Sequence, residues 1–255
     1  MAASIDQKEE LKNKAVEERE AGNLKKALGL FEEVLKAHKE EKNLKGLIDV
    51  LGQIRITYTK LAEEESDPLE KAHLQKEAHR CALEAVEMAE TGGRQLLGQL
   101  QISKVHLAST ILTHSKTMEI EEKTKELENA LLTLNEAIAN LPGSKAHKAW
   151  PLNIKAKVLY DLDREEEAFS ILLEAEKALY DGYDDEIKNA DQAELKLNIW
   201  LAGIHLTRAN ICALEGKHVL AKHYASAILA IDDPKNTLGE RKKEAKAILA
   251  QLSSQ

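Results

Sequence analysis

Aromatic side chains make up 4% of this 255-residue chain, and proline occurs only four times. No segment alternates β-branched or aromatic residues with polar ones between turn signals, which excludes an all-β fold. Cysteine occurs twice, as Cys81 and Cys212. Each lies inside a helical pattern and neither fits a disulfide or zinc spacing, so both are expected to be small buried hydrophobes in a reducing compartment. The opening MAASIDQKEELKNK lacks the apolar centre of a signal peptide. No run approaches the ~18 uncharged apolar residues of a membrane span. The net charge of −8 disfavours a broad nucleic-acid surface, because phosphate would be repelled. These absences point to a cytoplasmic protein with neither a membrane nor a nucleic acid as partner.

The chain is rich in Ala, Leu, Glu and Lys, with 43% hydrophobic and 31% charged residues, the composition of long amphipathic helices. Leu24, Ala27, Leu28, Phe31, Val34 and Leu35 form one apolar stripe, with lysine and glutamate opposite. Gly22 is placed to end the preceding helix and Asn23 to begin this one. Leu47, Leu51, Ile54, Tyr58 and Leu61 repeat the pattern at steps of three and four up to SDP (66–68), where Ser66 or Asp67 can cap and Pro68 suits a first turn. Further breaks are expected at TGG (91–93), LPG (141–143), DLDR (161–164), the exposed turn DGYDD (181–185), EGK (215–217) and DDP (232–234). Connections this short join antiparallel neighbours. About eleven helices are expected, and no strand.

LGQIRI (51–56) returns as LGQLQI (97–102). Glycine inside a helix costs about 1 kcal/mol relative to alanine and is tolerated where another helix must approach closely. Gly52 and Gly98 are given that role, and Ala15, Ala156 and Ala209 the equivalent one. Second helices align as well. KKALGLFEEVL (25–35) and ENALLTLNEAI (128–138) share Ala27/Ala130, Phe31/Leu134 and Val34/Ala137 without a gap. The theme recurs through Ala168, Leu172 and Ala175, then through Ala221, Ala225 and Ile228.

This pattern resembles the tetratricopeptide repeat family, whose helix pairs carry Leu-Gly in the first helix and an Ala-x3-aromatic step in the second, closed by Pro. AGNLKKALGLFEEVL (21–35) is the best single match. Equivalent alanines lie further apart than the family's 34 residues, so the helices are longer. The aromatic expected three residues after the first-helix glycine is replaced by Arg55 and Gln101. The resemblance implies an all-α, right-handed solenoid of about five antiparallel helix pairs, with approximate repeats 5–41, 42–91, 92–143, 144–182 and 186–233. A C-terminal helix, 237–252, would cover the apolar side of the last pair.

Chemistry is sparse. His73 and His79 are six residues apart and His218 and His223 five, whereas two ligands sharing a helix face need a step of three or four. No metal and no cofactor is expected. The acidic runs sit near helix starts and turns, where carboxylates favour the helix dipole. GGR (92–94) is not a phosphate loop, and neither a nucleophile elbow nor a Cys/His signature occurs. The chain is therefore read as non-catalytic.

First helices of tetratricopeptide proteins line a concave surface that receives a peptide or partner helix. By that resemblance Lys12, Arg19, Gln53, Thr57, Gln99, Ser103, Lys157, Tyr160 and Asn210 are the candidate partner-binding residues. Polar side chains among them suit a peptide backbone. The family's chaperone-tail binders need asparagine or other polar residues where Val16, Val50 and Leu96 stand, so that specialisation is not expected. Trp150 and Trp200 are either groove anchors or packing between repeats. The expected function is a protein- or peptide-binding module. The alternative is a peptide-responsive sensor whose superhelical shape changes with ligand.

Overall fold

A computed structural model describes residues 5–190, 193–233 and 238–253. Pro234, expected to close the fifth repeat, lies outside them. Among the described residues there are twelve α-helices, three short 3-10 turns and no strand. The chain divides into two compact units, 1–137 and 138–255.

Unit 1 holds α1 (Ile5–Glu20), α2 (Leu24–Glu40), α3 (Leu44–Glu64), α4 (Pro68–Thr91), α5 (Leu97–His114) and most of α6 (Ile120–Asn140). From α1 to α5 each helix packs on the next, and α1, α3 and α5 are also successive neighbours. Their shared core contains Ala15, Ala27, Phe31, Leu51, Ile54, Cys81 and Ala85. Burial pushes the Cys81 thiol up to about 11, so it packs as a neutral hydrophobe.

Unit 2 holds α7 (Ala149–Asp161), α8 (Glu165–Asp181), α9 (Tyr183–Asn189), α10 (Ala193–Leu214), α11 (His218–Ala230) and α12 (Gly239–Ser253). Helix α10 touches all five of the others. One side of it joins the cluster of Leu152, Leu172, Leu179 and Ile204. The other side joins Ala221, Ala225, Ile228, Ala245 and Leu252. The last helix therefore does lie against the apolar side of the α10–α11 pair. Helix α9 occupies the segment read as an exposed turn. Gly182 ends α8, and Asp184, Asp185 and Glu186 then stand in a new first turn, where negative charge is favoured. Gly182 also lies so close to the 3-10 turn Lys145–Lys148 that a Cβ there would meet the Ala146 backbone nitrogen at 2.1 Å.

The aligned second-helix positions share one environment. Ala27, Ala130, Ala168 and Ala221 are fully buried, as are Phe31, Leu134 and Leu172 at the next step. The hexapeptide is less uniform. Leu51 is 1% exposed but Leu97 is 50% exposed. Helix α3 begins seven residues before Leu51, whereas α5 begins at Leu97 itself, after a 3-10 turn. The two related hexapeptides thus fall in a helix interior once and at a helix start once.

Helix ends repeat too. Asn23 N–H returns to the Glu18 carbonyl at 2.8 Å, Asn43 to His38 at 3.0 Å, Arg164 to Leu159 at 2.9 Å and Lys217 to Cys212 at 2.8 Å. This six-to-one closure requires a left-handed residue just before the donor. Gly22 and Gly216 supply it, while Lys42 and Asp163 adopt it at φ 55° and 58°. Asp67 accepts from Leu69 N–H at 2.9 Å and caps α4 ahead of Pro68, as the sequence suggested.

Candidate functional site

A cleft of about 600 Å³ lies entirely within unit 1. Its walls come from α1, α3 and α5, the three helices that alternate with α2 and α4. Ala82 and Ala85 of α4 close its floor. Four predicted residues meet there: Lys12, Gln53, Gln99 and Ser103.

Lys12 is held at the rim by Asp49 at 2.9 Å and Glu9 at 3.0 Å. Partial burial opposes its charge, but those hydrogen bonds prevail and its pKa is raised. Lys8 is paired with Glu41 in the same way. Deeper in, the Gln53 carbonyl oxygen accepts from Arg19 at 2.8 Å, so one end of that amide is fixed. Gln99 and Ser103 follow one another by a helical turn on α5, which presents both to the same space.

Two candidates serve the fold more than the cleft. Thr57 is fully buried, and its hydroxyl donates to the Gln53 backbone carbonyl at 2.9 Å within α3. Arg19 is also buried, with its guanidinium 5.9 Å from the centroid of the Phe31 ring. The remaining three are in unit 2. Lys157 and Asn210 are exposed on α7 and α10. Tyr160 donates from its hydroxyl to Glu215 at 3.2 Å. Val50 and Leu96, two of the positions where chaperone-tail binders need polar residues, are buried core residues. Trp200 is half-buried and stacks on His147, with ring centroids 5.4 Å apart, so it packs within unit 2. Trp150 is half-buried as well.

Arg55 and His106 escaped the sequence reading. Arg55 registered only as the wrong residue at an aromatic position, yet it lines the cleft, as does His106. A cation replacing a ring on the apolar register of Leu51, Ile54 and Tyr58 was the available signal. Burial drives the Arg55 pKa down to about 10, with Arg19 adding repulsion. At neutral pH it is still a cation. Burial also holds His106 well below the usual imidazole value, and Arg55 adds to the effect. His38, on the rim, is lowered chiefly by burial. Both imidazoles are neutral near pH 7.

Among the described residues no group of three His, Cys, Asp or Glu side chains converges as a metal site, and no helix is long and apolar enough to cross a membrane. No family model matches the chain, and no curated protein matches its sequence closely enough to count as a relative.

Proposed function

We propose that this chain is a divergent tetratricopeptide-type array that binds an extended peptide or a segment of a partner protein, without catalysis, in the α1/α3/α5 cleft of unit 1. The reading places the protein in the cytoplasm and assigns it a right-handed solenoid arrangement of helix pairs. One observation carries it. Resemblance to the tetratricopeptide family makes Lys12, Gln53, Gln99 and Ser103 ligand-facing, and they line one cleft. Helices that are already packed hold these groups in place, so a partner bears most of the ordering cost on association.

The amides suit a peptide backbone. Gln53 has its oxygen engaged by Arg19 and keeps its amide nitrogen as a donor, while Gln99 can offer both a donor and an acceptor. Such groups grip a main chain with little demand on its side chains.

A random-peptide phage selection against the folded protein tests the reading, followed by fluorescence anisotropy with the strongest peptide. The Gln53→Ala/Gln99→Ala double variant should bind roughly tenfold more weakly, from loss of two hydrogen bonds worth about 0.5–1.5 kcal/mol each. Its circular dichroism should match the parent. Unchanged affinity, or a selection that yields no binder, would sink the proposal.

A further inference from the structure

The interior of this cleft contains a cation that the protein does not neutralise. Arg55 is only 7% exposed. Its one side-chain hydrogen bond is from Nη1 to the Thr110 hydroxyl, at a long 3.3 Å. Its Nε is buried without any partner. Among the described residues no carboxylate pairs with it or acts on its charge. The ionisable groups that act on it are Arg19, which repels, and the neutral thiol of Cys81, while His106, on which Arg55 itself acts, is neutral. Burying a charge without a partner is strongly unfavourable.

Arg208 in unit 2 shows how this chain treats a buried guanidinium that serves the fold. At 4% exposure it donates to the Glu176 carboxylate at 2.6 Å and to the Leu172 carbonyl at 3.1 Å. Arg55 has neither kind of partner.

Charge around the cleft sharpens the contrast. Lys8, Lys12, Lys45 and Arg55 face three carboxylates, Glu9, Glu41 and Asp49. Lys8 and Lys12 are already paired with those carboxylates. One positive charge is left over, within a chain whose net charge is −8. The Arg55 Nε has no exposed surface, so a carboxylate in the cleft meets the guanidinium at its Nη groups, whose planar fork suits parallel hydrogen bonds. One negative charge offsets the cation left over among the lining residues.

We infer that Arg55 is the binding residue for a carboxylate group of the ligand, seated in the cleft between α3 and α5. The inference rests on the reading of the cleft as a binding site and adds the chemistry it selects. The carboxylate belongs to an acidic side chain or chain end of a peptide, or to a free organic acid.

The test follows the Arg55 Nε–H resonance by NMR in the full chain at pH 7, assigned by its disappearance in Arg55→Met. Acetate and N-acetyl-glutamate amide should each shift it saturably, with half-saturation at or below about 10 mM. N-acetyl-glutamine amide and chloride at matched ionic strength should not. Response to acetate alone assigns the site to free acids, and response to both leaves peptides in play. A saturable shift with inorganic phosphate but neither carboxylate overturns the assignment, and so does no saturable shift with any anion. These outcomes do not depend on whether a phage peptide is found. Stability gives a second readout. Thr110 keeps its own bond to the His106 carbonyl at 2.9 Å without Arg55. Arg55→Met should therefore raise the melting temperature by about 2–4 °C. A fall of that size would make Arg55 part of the fold's support and overturn the proposal.

Discussion

His79, His106 and His205 are each held below the ordinary imidazole pKa, and in each case burial is the largest cause. His114 adds repulsion at His79 against a weaker pull from Glu126, and Arg55 adds repulsion at His106. At His205, Glu176 opposes the shift while Arg208 and His223 reinforce it. The unfolded chain takes up protons at these sites from about pH 6.5 downward, and the folded chain only at lower pH. The unfolded state then binds more protons, so stability is complete above that value and is lost as pH falls below it. The melting temperature should drop between pH 7 and pH 5, a window above the range in which the lowered carboxylates Glu18, Glu167 and Asp181 titrate. His79→Gln should flatten the slope. An unchanged slope in that variant would show that His79 titrates alike in both states.

At the level of helices and their ends, the sequence was most readable where one local rule decides. Gly22, Gly216, Asp67 and Pro68 act as their residue types require, and the apolar stripes located the helices except α9 to within a few residues. Lys42 and Asp163 occupy the same left-handed position as the two glycines without announcing it, because the closure is set by chain geometry and not by residue type. A non-glycine residue there carries a penalty of about 1–2 kcal/mol. Lys42→Gly should therefore stabilise the protein by about 1 kcal/mol in urea unfolding, since the side chain is exposed to solvent. A destabilised variant would mean that glycine's freedom in the unfolded chain outweighs the relief of strain. The second hexapeptide was misleading for a related reason. A sequence match carries no information about where a helix starts, and Leu97, the first residue of α5, is half exposed where Leu51 is buried.

Across the molecule, the candidate site was legible in part. Periodicity identified the first helices, and family resemblance proposed which of their positions face a ligand. Lys12, Gln53, Gln99 and Ser103 follow from that and meet in unit 1. Thr57 and Arg19 do not: Thr57 is bonded within α3, and Arg19 is buried beside Phe31. Arg55 was invisible as a ligand-facing residue because its importance lies in what is missing around it, and a missing carboxylate is a tertiary fact. Arg208 of unit 2 is buried against a carboxylate, and Arg55 of unit 1 has only a hydroxyl.

The most direct measurement is the position at which a bound peptide touches the protein. The tightest phage-selected peptide, carrying a diazirine, is cross-linked to the full chain, and the labelled residues are located by mass spectrometry. The cleft account predicts labels on α1, α3 and α5 at or beside Lys12, Gln53 and Gln99, competed by unlabelled peptide. Competed labels confined to Lys36 of α2, Glu87 of α4 or unit 2 would contradict it.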